Sequence, residues 1–69
     1  MKNEQLITKI LKYIHYSNHV LSKDIIIEDE TYDELIKTND NEWILCNTHW
    51  ELPLKELTNR ELTKLYQSL

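Results

Sequence analysis

Four residues of this 69-residue chain have the chemistry of metal ligands: His15 and His19, four apart, and Cys46 and His49, in a Cys-x-x-His spacing. Zinc takes such nitrogen and sulfur donors tetrahedrally, so convergence of all four would make a structural site. Three features argue against it. His19 lies beyond the expected end of the first helix, an extended segment sends Cys46 and His49 to opposite faces, and structural zinc sites are usually richer in cysteine. The expectation is no metal and no cofactor, with half-exposed histidines and Cys46 in the core. Nucleophilic catalysis by Cys46 and a histidine has no local signature here, and a chain without glycine offers no small-residue backbone for an oxyanion hole. A substrate pocket is also hard to enclose in so few residues, so the chain is not expected to be an enzyme.

A second group is the run "EDETYDE", with Glu28, Asp29, Glu30, Asp33 and Glu34 as five carboxylates and Tyr32 among them. The alternating Asp pattern and glycine of a calcium loop are missing. Such a run is either a solvated face or an acidic patch that docks on a basic protein surface. Trp43, Trp50 and the four tyrosines, in a chain with no Phe, have apolar bodies with polar tips that suit either a core edge or a binding surface. Trp43 and Trp50 are seven apart and fall on opposite faces of a continuous strand, so one of them is expected outside the core unless the strand bends. Partner contacts are assigned to Glu28, Asp29, Glu30, Tyr32, Asp33, Glu34 and Trp43.

The elements that must position these residues are legible in the spacing. Leu6, Ile7, Ile10, Leu11 and Ile14 mark one face of a helix over residues 4 to 16, with Asn3 as N-cap and Glu4 in the first turn. Ser17 and Asn18 break that period. The three isoleucines of "SKDIIIEDE" favour extended backbone, which places a strand at residues 23 to 28. Over residues 31 to 37, Thr31 with Glu34 can form a capping box, while Tyr32, Glu34 and Ile36 alternate as in a strand. The strand is preferred, because "KTNDNE" supplies hairpin turn chemistry directly after it. From Trp43 to Leu52 the chain alternates again, with a bend anticipated at Asn47 and Thr48, and Pro53 ends the ladder.

Near the C-terminus, Thr58 and Glu61 have capping-box spacing and Leu57 and Leu62 stand at the two positions of a hydrophobic staple. Leu62, Leu65, Tyr66 and Leu69 then share a helical face. The stretch "LTNREL" resembles the start of the LuxR-type DNA-binding domain, in which a Leu-Thr-x-Arg-Glu segment opens a helix-turn-helix. That resemblance spans about five residues and implies DNA binding through a recognition helix, which would have to follow the last residue here. The structural reading, a capped helix closing a small domain, is preferred.

Twelve acidic residues against eight basic ones give a net charge of −4, which repels phosphate backbones. With no glycine, neither a Walker loop nor a dinucleotide fingerprint can be written. A chain this short makes one domain, residues 1–69, and buries only about 60% of its unfolded surface. A lone cysteine and a charged N-terminus, without the apolar run of a signal peptide or membrane span, point to the cytoplasm. The expected fold is α+β: a helix, a three-stranded mostly antiparallel sheet and a C-terminal helix, both helices on one sheet face. The expected function is a protein-binding module, a regulator or inhibitor that occupies a partner's surface, in one version presenting carboxylates where a nucleic-acid enzyme expects phosphates. The alternatives are a self-associating subunit, with a homodimer formed through an open sheet face bearing Trp43 or through an edge strand, and a cysteine- or metal-dependent enzyme. The Asn, Lys and Ile bias suggests an AT-rich genome, and compact acidic chains of this kind are common among phage and mobile-element accessory proteins.

Overall fold

A computed structural model describes residues 3–69 as a small α+β domain. Helix α1 (Asn3–Leu11) leads to four strands, β1 (Asn18–Ile27), β2 (Glu30–Lys37), β3 (Trp43–Cys46) and β4 (Glu51–Pro53). A single 3-10 turn (Leu54–Glu56) then delivers the chain into helix α2 (Asn59–Gln67). The strands form an antiparallel meander in the order β1-β2-β3-β4. The sheet thus has four strands where three were expected, because the bend anticipated at Asn47 and Thr48 is a full reversal. Asn47 Oδ1 accepts from the backbone N–H groups of His49 and Trp50 at 2.7 and 2.6 Å, an Asx turn that separates β3 from β4.

The core is built from a leucine row. Register sets Leu35 opposite Leu45, and Leu45 opposite Leu52, so the three side chains lie side by side on one sheet face. Leu35 and Leu45 are fully buried, as are Ile10 from α1 and Leu62 and Leu65 from α2. Tyr32 also enters this core, although it stands an odd number of residues from Leu35 and so projects from the other side of β2. The reason lies in β1. Val20 pairs with Glu34 and Ile25 with Tyr32, which leaves Leu21 to Asp24 opposite Asp33 alone. A bulge of that size twists the hairpin sharply, and its outer half turns Ile25, Ile27 and Tyr32 inward. Within the bulge, the Ser22 backbone N–H and hydroxyl both donate to the Ser68 carbonyl at 2.8 Å, supplying a partner at the end of α2.

Two expectations on the first helix are corrected. It stops at Leu11 instead of residue 16, where Tyr13 and Ile14 bond back three residues to Ile10 and Leu11, and the aromatic and β-branched residues of "YIHY" favour helix poorly. Asn3 lies in α1 itself, and its side-chain amide donates to the Leu57 carbonyl at 2.7 Å, fastening α1 to the segment before α2. The first strand likewise begins at Asn18, five residues before the expected start. In α2 the capping box is complete: Glu61 N–H donates to Thr58 Oγ1 at 3.2 Å and Thr58 N–H donates to Glu61 Oε1 at 2.9 Å. The staple residues Leu57 and Leu62 are both buried.

Thr58→Ala removes one half of that box and should lower unfolding free energy by about 1 kcal/mol in a urea melt, with native circular dichroism retained. An unchanged midpoint would show that the box contributes nothing. The turn between β1 and β2 gives a second expectation. Glu28 and Asp29 form a two-residue loop with φ of 50° and 68°, the geometry that Asn-Gly fills without strain. Replacing Glu28→Asn together with Asp29→Gly should therefore stabilise the fold by about 1 kcal/mol.

Candidate functional site

The acidic run is the β1–β2 hairpin itself. Glu28 and Asp29 occupy its tip, and Glu30, Asp33 and Glu34 follow along β2. Beside them runs the β3–β4 turn, because the Asn47 side-chain amide donates to the Thr31 carbonyl at 2.6 Å. Asn47 thereby holds Trp50 and Glu51 against the acidic strand, with its own N–H donating to the Trp50 carbonyl at 3.0 Å. Glu51 stands opposite Cys46, which stands opposite Glu34. Glu34, Asp33 and Glu51 act electrostatically on Cys46, and Glu28 and Glu30 on Tyr32, so these carboxylates crowd the same part of the hairpin, and the adjoining turn carries an indole that is 55% exposed.

None of these six carboxylates forms an ion pair among the described residues; Glu34 accepts a hydrogen bond from Asn18 at 3.3 Å. At the other end of β2, Lys55 is engaged by Glu42 at 2.9 Å, and that hydrogen bond is the main cause that raises its pKa. The uncompensated charge is felt by its neighbours. Burial pushes the Tyr32 phenol up, and Glu30 and Glu28 push it further in the same direction. Burial likewise raises the Cys46 thiol, with Glu34, Asp33 and Glu51 adding to the shift.

The sequence-assigned contact residues therefore separate. The five carboxylates share one end of the sheet, but Tyr32 is buried in the core and offers no contact surface. Trp43 stands opposite Lys37, seven residues along β2 from Glu30 and about 23 Å away on an ideal strand, and it packs against the core. It lies on the face that carries Leu45, not on an open one. The continuous strand from which one tryptophan was expected outside the core is broken between the two, and the exposed one is Trp50, on the turn, instead of the assigned Trp43. The signal that could have found it is Asn47, a strong turn former three residues before it.

A second signal was also present. Residues 24–56 hold ten of the twelve acidic side chains and two of the eight basic ones, so the flanking segments that supply the helices are net positive. Charge in this chain is segregated by element.

The metal candidates are dispersed. His19 stands opposite Leu35 and Cys46 opposite Glu34, adjacent positions of β2 that project to opposite sheet faces. His15 and His49 are exposed, and among the described residues no group of three or more His, Cys, Asp or Glu is arranged to hold a metal ion. His19 Nε2 is shut from water and has no hydrogen-bond partner among the described residues. No helix among the described residues is long and apolar enough to cross a membrane. Compared with models of known protein families, with curated protein sequences and with solved structures, the chain matches none.

The Cys46 environment yields a measurable consequence. A thiol held above its ordinary pKa keeps its proton in the folded chain at pH values where the unfolded chain has lost it. Stability should accordingly be flat with respect to this group below about pH 8.5 and decline as pH rises beyond it. Iodoacetamide at about pH 8 should modify Cys46 at least about tenfold more slowly in the folded chain than in urea, since the thiolate is the nucleophile. Equal rates in the two states would contradict the buried, charge-flanked thiol.

Proposed function

We propose that this chain is a protein-binding module, a small regulator or inhibitor that occupies a partner's surface and acts by binding instead of catalysis. The observation that supports it is the acidic β1–β2 hairpin, whose carboxylates form no ion pair among the described residues, with a half-exposed Trp50 on the adjoining turn that Asn47 ties to the hairpin at Thr31. A partner of matching chemistry presents a basic surface, such as the phosphate-binding face of a nucleic-acid enzyme, together with an apolar recess for the indole. The acidic side chains steer the encounter and the indole holds the complex afterwards. The cytoplasm is the proposed compartment, consistent with a single reduced cysteine.

A catalytic reading finds less support. Cys46 is 7% exposed and the groups that act on it are carboxylates, which hold the thiol protonated instead of activating it. The remaining alternative is a self-associating subunit, and one observation limits how it can associate. The β4 edge is three residues ending in Pro53, and β1 is interrupted where the Ser22 N–H is already taken by Ser68. Both are devices that discourage strand-to-strand pairing, so the edge-strand homodimer is disfavoured.

The experiment is capture of partners from the native host by the tagged chain, followed by kinetics on what is captured. Replacing Glu28, Glu30 and Glu34 by Gln and Asp29 and Asp33 by Asn should slow association and flatten its salt dependence. The fold should persist, because exposed charges contribute little to stability. Trp50→Ala should mainly raise the dissociation rate, by about tenfold or more for an indole anchor. Unchanged on- and off-rates in both variants would place the interface elsewhere and defeat the proposal.

A further inference from the structure

Exposed aromatic side chains occur at two places on the molecule. One is the acidic end with Trp50. The other lies where α1 passes into β1: Tyr13 and Tyr16 are 56% and 79% exposed there, and the Ser17 carbonyl accepts from the Lys37 N–H at 2.7 Å. Lys37 closes the end of β2 that is opposite the Glu28–Asp29 tip, so the two aromatic surfaces are set apart by the length of the hairpin. Tyr13 is held in place by α2, with its ring edge-on to Tyr66 at 5.5 Å and 75° and the two hydroxyls 3.2 Å apart. Lys9, one helical turn before Tyr13, acts on that phenol electrostatically, and Lys9 and Lys12 line an open groove on α1 with Gln5 and Thr8. Glu4 at the far end of the groove is the one carboxylate in its lining. Lys9 and Lys12 form no ion pair among the described residues.

We propose that this basic, aromatic face of α1 docks the acidic end of a second copy of the chain, so that copies associate head to tail. Charge complementarity selects this occupant. Glu28, Asp29, Glu30, Asp33 and Glu34 follow one another along one hairpin and form no ion pair among the described residues, and neither do Lys9 and Lys12 beside the exposed Tyr13 and Tyr16. In the contact, Trp50 of one copy covers the exposed tyrosines of the next, and Lys9 and Lys12 neutralise the carboxylates of the β1–β2 hairpin. The two surfaces are different patches, so the contact is heterologous and leaves one free acidic end and one free basic face on every pair. The consequence is regulatory: a chain whose acidic end is occupied by another copy is withheld from any other partner. The inference rests on the acidic end being a binding surface, as proposed above, and its test contains no other protein.

The test uses two variants of the full chain. One is Lys9→Gln with Lys12→Gln, which removes the basic face. The other is Glu30→Gln with Asp33→Asn, Glu34→Gln and Trp50→Ala, which removes the acidic end. Sedimentation velocity of the wild-type chain should show species larger than a monomer that grow with concentration at about 50 mM salt, and raising salt to about 500 mM should weaken association roughly tenfold or more. Each variant alone should be monomeric. A mixture of the two should form a one-to-one dimer and nothing larger, because only one intact contact remains. A wild-type chain that stays monomeric at all concentrations overturns the proposal. So does either variant that still self-associates, or a mixture of folded variants that does not pair; circular dichroism on each variant establishes the folded state.

Discussion

The fold depends on a narrow seam of aliphatic packing, the row Leu35, Leu45 and Leu52 pressed under Ile10, Leu62 and Leu65. A chain of this length buries so little surface that a core of this size supplies only about 3–5 kcal/mol of net stability. Everything else in the structure serves to hold three layers of chain against that seam. Asn3 bonds Leu57 to bring α1 over it, the Thr58–Glu61 box starts α2 at the right residue, and Ser22 bonds Ser68 to close the far end. Each of these is a polar side chain satisfying a backbone group at the end of a helix, where such groups have no partner of their own. Loss of any one loosens the angle at which a leucine meets the sheet.

The absence of glycine shapes the rest. Among the described residues three positions take positive φ, and they are filled by Glu28, Asp29 and Asn41. Asn41 follows a turn closed by its own N–H to the Thr38 carbonyl at 3.0 Å, with Glu42 N–H also donating to Thr38 Oγ1 at 3.2 Å, and asparagine tolerates that conformation well. Glutamate at φ of 50° does not, so the β1–β2 tip stores strain at the place where the acidic residues are most exposed. Asn-Gly at these two positions would relieve both the strain and the like charge.

Local patterns in the sequence were readable where a single short-range interaction decides the outcome. The capping box at Thr58, the hairpin at "KTNDNE" and the bend at Asn47 each follow from side chains bonding backbone within four residues, and each is present in the structure. The alternation over residues 31 to 37 belongs to β2, which spans them. What could not be read depends on contacts distant in sequence. The four-residue bulge in β1 exists because Ser22 meets Ser68, 46 positions away, and no local pattern announces it. Tyr32 was misassigned to the surface for the same reason: alternation along β2 puts it with Glu30 and Glu34, and only the bulge turns it inward. Trp43 and Trp50 were told apart only once β3 and β4 had been separated and the second indole left on a turn.

The segregated charge is the feature that stability alone does not explain. Carboxylates as close as those around Cys46 and Tyr32 repel one another within a Debye length of about 8–10 Å, and burying a thiol among them raises its pKa further. A lysine at any of several exposed positions of β2 would have relieved that repulsion at no cost to packing. In a domain with so thin a margin, scattered charge would be the more stable arrangement, and the ion pair of Lys55 with Glu42 shows that local pairing is available to this sequence. An unneutralised acidic end beside a fixed indole, and unpaired lysines beside exposed tyrosines at the other end, both gain stabilisation when a surface of opposite sign covers them. In the proposed association that repulsion would be released, so an arrangement that weakens the isolated chain would strengthen the complex.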